Sequence, residues 1–240
     1  MSAKSKQKGK SKKGKTPFHF KALDWLCVAV GIIASVITLF IDHDHPQIYI
    51  IASILMLNCG VLEVILGVNG RRSNYIFALI NAAASIFVAW IDQFFGNTLI
   101  NIYYIPLCIV GFYVWGKHRD SDKYVIARKL TVKQVIIATL IFALLSAGLI
   151  AILDYFGGHS VILDGMATIL IIFASILGAL RFREQWLIWI IADILMLAMW
   201  INSNNPAILT MRTFYIFSSI YGYINWRKLI KNPRNKKAHV

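Results

Sequence analysis

Eight apolar runs, near residues 23–41, 47–67, 75–94, 98–116, 133–153, 161–180, 185–202 and 208–226, alternate with short polar segments along the chain. Each approaches the roughly 20 residues that a helix needs to cross about 30 Å of hydrocarbon. The polar segments fall into two kinds. Lys and Arg gather in the N-terminal tail, at Arg71 and Arg72, in KHRDSDKYVIARK (117–129) and on to Lys133, at Arg181 and Arg183, and in the C-terminal RKLIKNPRNKK. The alternate connections FIDHDHPQ, FFGNT, DYFGGHS and NSNNPA contain neither. Basic residues stay on the cytoplasmic side of a membrane chain. The alternation therefore predicts an all-α integral membrane protein of about eight transmembrane helices, or seven and an extra N-terminal one, with both termini cytoplasmic. Arg212, inside the last run, is the exception.

Composition agrees with lipid as the solvent. Of 240 residues, 58% are hydrophobic and 15% charged, and mean hydropathy is +0.63. A soluble core of this size could not hide so much apolar surface. The net charge of +14 could suggest a nucleic-acid partner, but its confinement to tails and alternate loops excludes that reading in favour of a bilayer. Residues 1–20 are expected to form a disordered basic tail near anionic headgroups, with seven lysines in the first fifteen positions and no signal-peptide cleavage site. Cys27, Cys59 and Cys108 lie in separate apolar runs without C-x-x-C spacing, so neither a disulfide nor a metal site is expected. The sequence lacks a G-x-x-x-x-G-K-[ST] phosphate loop, and every His lies in a tail, a loop or a span edge. ATP-driven pumping and intramembrane catalysis are both disfavoured, and no cofactor is implied.

The chain repeats itself. GFYVW (111–115) recurs as GYINW (222–226), ILG (65–67) as ILG (176–178), and FIDHDHP is matched by ILDYFGGHS, at an offset of about 112 residues. Two parallel four-helix units follow, 21–116 and 132–228, joined by a basic cytoplasmic linker at 117–131 and ending in a basic tail at 229–240. Their interface is the natural place for a ligand.

Polar groups inside the spans are costly and mark cavities or partners. Asp164 lies near an outer helix end, and Glu63 lies deeper, where it pairs or titrates. Asp193 is the sharpest case. Trp186 and Trp189 precede it by seven and four residues, which puts the three side chains within about 60° of one another on a helix. Two indoles above a carboxylate suit a flat, cationic ring. At the assumed offset, Asn74, Phe77 and Asn81 occupy the matching positions in the first unit. Tyr104 and Tyr215 are the tyrosines best placed to line the cavity. His43 and His45 in DHDHP form at most a weak metal site, and a solvated turn fits them better.

The stretches SNYIFALIN, NIYYIPLCIVGFYVW, LDGMATILIIFASIL, REQWLIWIIAD and YIFSSIYGYINW resemble the PnuC-type vitamin transporters across about 50–230. W-x-x-W-x-x-x-[ND] after R-x-x-E, with paired G-[FWY]-x-x-W ends, carries the likeness. The resemblance implies a SWEET-like fold, a homotrimer, and facilitated diffusion of a vitamin nucleoside made one-way by intracellular phosphorylation. It also implies that Trp186, Trp189 and Asp193 are the ligand-stacking motif and Asn81 its polar counterpart. Nicotinamide riboside leads; Cys108, standing where relatives commonly carry Gln, counts against it and keeps thiamine, riboflavin and deoxynucleosides open. Cation coupling stays open too. Asp193 favours a cationic cargo.

Overall fold

The computed structural model describes residues 21–41, 46–91, 95–120, 122–157, 160–201 and 206–231. Among them are eight helices and no strand. These are α1 (Ala22–Ile41), α2 (Gln47–Val68), α3 (Asn74–Ile91), α4 (Phe95–Lys117), α5 (Val132–Tyr155), α6 (Val161–Ala179), α7 (Gln185–Trp200) and α8 (Pro206–Lys231). Five of them, α2 to α6, are long and apolar enough to cross a membrane, and α1 and α7 contain shorter apolar stretches. In α5, large apolar side chains such as Leu140 and Leu144 remain exposed, as a lipid-facing surface requires. Its start is written locally: Thr131 and Gln134 form a capping box.

Six helices close a ring in the order α2, α3, α4, α6, α7, α8 and back to α2. Outside it, α1 packs on α2 and α5 on α6. The described basic segments at 71–72, 118–128 and 181–183 meet at one end of this ring. There the α2–α3 and α6–α7 turns share one geometry, with Gly70 and Arg181 both at positive φ (66° and 68°). In each turn the next residue's N–H reaches back to a carbonyl in the last helical turn, Leu66 or Leu177. A positive φ comes free of steric penalty to Gly70 but not to Arg181. Arg181 is held there by its guanidinium, which donates to the Ile126 carbonyl at 3.0 Å. Burial, then the neighbouring Arg128 charge, pulls Arg181 down to about 10, so it stays protonated at neutral pH.

Residues 118–131 run between these turns. Val125 N–H donates to the Gly70 carbonyl and Arg128 N–H to the Arg181 carbonyl, both at 2.8 Å. Val125, Ile126 and Ala127 are buried. The segment that its charges mark as a basic spacer is therefore also a strap holding both turns.

Candidate functional site

Four aromatic rings fill the basic end of the ring of helices. Tyr75 meets Trp115 edge-on (5.0 Å, 84°), Trp115 meets Trp226 (5.4 Å, 60°), and Trp226 meets Trp186 (5.9 Å, 73°). All are buried. The two central indoles reach across to opposite turns: Trp115 Nε1 donates to the Gly178 carbonyl at 2.9 Å, and Trp226 Nε1 to the Gly67 carbonyl at 3.1 Å. Glycine is needed where the rings lie against a helix. A Cβ at Gly222 would stand 2.5 Å from Trp186 Cδ2, and one at Gly111 would run into the Tyr75 ring.

These contacts correct the repeat offset. Tyr75 against Gly111 corresponds to Trp186 against Gly222, and the Trp115 and Trp226 bonds correspond likewise, each pair 111 residues apart. At 111, Tyr75 and not Asn74 stands where Trp186 does. Ala78 replaces Phe77 as the match to Trp189, and Ala82 replaces Asn81 as the match to Asp193. Ala78 and Ala82 are buried, while Phe77 is only half-buried. Asn74 packs beside Gly67 at the basic end and leaves its Oδ1 without a hydrogen-bond partner among the described residues. The physical reason for the slip is that ring-into-glycine packing sets the register, and polar positions do not.

Trp186 thus closes the end of the bundle instead of facing an open slot, although its buried Nε1 has no partner among the described residues. Trp189, a turn deeper and half-buried, packs against the same aromatic cluster. Two clefts, of about 80 and 490 Å³, lie elsewhere: one between α1, α2 and α8 and one on the outer face of α2 and α3.

Deeper in the ring, polar groups from five helices converge. On α3, Asn81 Nδ2 donates to Glu63 Oε2 of α2 at 3.1 Å, and its Oδ1 accepts from Ser85 at 3.3 Å. Glu63 lies within electrostatic reach of Tyr104 and Cys108 on α4 and Tyr215 on α8. Tyr215 in turn lies within reach of Asp193 on α7 and Arg212 on α8. Asp193 is buried and is not a lone anion: Arg212 Nη1 stands 3.3 Å from its Oδ1. The structure therefore brings together Asn81, Tyr104, Cys108, Tyr215 and Asp193, and leaves Asn74, Phe77 and Trp186 outside that group. Glu63 and Arg212 complete it. The sequence signalled each only as a charge out of place inside an apolar run, without naming its partner. No cluster of metal-binding side chains occurs among the described residues, and His43 and His45 lie outside them.

Comparison with known proteins places this arrangement among carriers. The family model described as nicotinamide mononucleotide transporter matches residues 50–228. The chain is similar to the nicotinamide riboside transporter PnuC of Haemophilus influenzae, with 41% identity over 180 residues, 72% of this chain and 77% of that protein. It is also similar to the PnuC of Neisseria mucosa, with 32% identity over 225 residues, 89% of this chain and 82% of the other. Among solved structures, a crystal structure of the vitamin B3 transporter PnuC matches with a TM-score of 0.71 and 27% identity, covering 89% of this chain and 94% of that one.

Proposed function

The chain belongs to the nicotinamide mononucleotide transporter family, and from that premise we propose that it carries nicotinamide riboside across the cell membrane. The observation that carries this reading is the 41% identity to a transporter of that compound. The convergence of carboxylates, an amide and tyrosines inside an apolar ring supports it, because such groups are retained in lipid where a polar solute meets them. Two parallel units, 21–116 and 132–228, with the segment 117–131 between them, rock against each other in the SWEET-like manner, and all eight helices cross the bilayer. Alternating exposure of the central group to each side moves the cargo.

Each side chain has a task in that cycle. Trp189 stacks on the flat base. Tyr104, Tyr215 and Asn81 bond the ribose hydroxyls. Trp186, with Trp115 and Trp226, forms the cytoplasmic seal that must part for release. Transport is passive and becomes one-way when the cargo is phosphorylated inside the cell. Both termini are cytoplasmic, the lysine-rich tail lies on anionic lipid, and the working form is a homotrimer.

A screen of the detergent-purified chain tests the cargo. Nicotinamide riboside at 100 times its Kd stabilises the fold by about 2.7 kcal/mol through mass action and raises the unfolding temperature. Thiamine, riboflavin and deoxyadenosine leave it unchanged. A rise with one of those three and none with nicotinamide riboside would reassign the cargo.

A further inference from the structure

Resting on the nicotinamide riboside reading, we infer that Glu63 of α2, and not Asp193 of α7, is the counter-charge for the cationic ring of the cargo. Two carboxylates and one guanidinium lie within electrostatic reach of Tyr215 on α8: Glu63, Asp193 and Arg212. Asp193 is already compensated by Arg212 at 3.3 Å. Glu63 has no cationic partner among the described residues. Its Oε2 accepts a hydrogen bond from Asn81 at 3.1 Å.

The surroundings of Glu63 fit a cation that comes and goes. Asn81 is held from the other side by Ser85. Gly60, one turn before Glu63 on α2, faces the same amide: a Cβ there would stand 3.4 Å from Asn81 Nδ2, an ordinary contact. The carboxylate is thereby held at a fixed place without being neutralised. A carboxylate inside a membrane bundle is costly until an opposite charge arrives. Tyr104 and Tyr215, which bond the ribose in this reading, lie within its electrostatic reach, so the ring attached to that ribose falls near the carboxylate. Two anions against one cation leave one net negative charge, which a single pyridinium balances. Arg212 Nε has no hydrogen-bond partner among the described residues, so the Asp193–Arg212 pair has a donor left for the uncharged hydroxyl and carbonyl groups of the same cargo.

Nicotinamide riboside and its reduced dihydro form differ in ring charge at nearly constant shape, and binding of both to the purified full chain separates the roles. Glu63→Gln, which can still accept from Asn81, is expected to weaken the cation about 10- to 100-fold and leave affinity for the neutral form unchanged. Glu63→Asp retains the preference for the cation at reduced affinity. Asp193→Asn weakens both forms alike, since it acts through Arg212. The inference is overturned if Glu63→Gln keeps the wild-type ratio, if Glu63→Asp loses that ratio as fully as Gln does, or if Asp193→Asn alone abolishes it. Wild-type chain binding neither form is a different failure. It removes the nicotinamide riboside reading first and the role of Glu63 with it.

Discussion

Arg212→Ala is expected to destabilise the chain by about 3–5 kcal/mol, because it leaves the Asp193 carboxylate buried without its partner. Asp193 is 4% exposed and its ion pair with Arg212 is the contact that α8 offers it. Among the described residues no other cation stands within ion-pair distance of Asp193, so nothing replaces that guanidinium. Asp193→Ala has a smaller effect: Arg212 is about one-fifth exposed and its long stem can turn its head toward a helix end. The double variant should recover much of the loss, since removing both charges also removes the cost of burying them. Unfolding of the four proteins in detergent gives the coupling energy directly. Additive losses would mean that the two side chains act independently.

Trp226→Ala carries the second large effect, about 3–5 kcal/mol. The Trp226 side chain is fully buried, touches both Trp115 and Trp186, and donates to the Gly67 carbonyl across the interface between α8 and α2. Its removal leaves a cavity between Trp115 and Trp186 and loosens the end of the bundle that the linker ties down. Trp226→Phe keeps most of the ring contact and loses the hydrogen bond. The Gly67 carbonyl still accepts from Gly70 N–H, so that cost should stay near 1 kcal/mol, that of one hydrogen bond. Leu144→Ala on α5, where the side chain is 75% exposed, is the control and should stay within about 0.5 kcal/mol. Equal losses at Trp226 and Leu144 would contradict the packing described for the aromatic end.

The helices were legible because lipid leaves few choices. A segment that crosses it must be continuous and apolar, so hydropathy marked eight runs, and α2 to α6 among the observed helices are long and apolar enough to span. The observed helices depart from the expected runs chiefly at their ends: α4 begins at Phe95 where the apolar run suggests 98, and α8 continues to Lys231, past 226. Hydropathy marks the hydrocarbon, whereas the hydrogen-bonded helix extends beyond it. Of the basic segments, those at 71–72 and 181–183 sit in turns tied to 118–128 by backbone hydrogen bonds, and residues 1–20 and 232–240 lie outside the described residues.

Tertiary features were harder to see. Asp193 and Arg212 are 19 residues apart on different helices, so no helical periodicity connects them, and each looked like an isolated anomaly. Matching Asn81 to Asp193 was chemically attractive, yet the halves register through Gly111 and Gly222, which admit Tyr75 and Trp186. Trp186 illustrates the same difficulty: an indole near a helix start can be an interfacial anchor, a stacking plate or a plug, and only the ring contacts with Trp226 distinguish them. The linker hid its role because its lysines and arginines outweigh the short apolar stretch Val125–Ala127 in any average over the segment.

The central claim is carriage of a vitamin nucleoside, and its most direct test is uptake of labelled nicotinamide riboside by proteoliposomes. Internal label should rise well above that of protein-free vesicles, stop at the external concentration, and do so equally with or without a pH gradient. Uptake no faster than in protein-free vesicles would contradict carriage. Accumulation beyond the external level would contradict the passive mechanism.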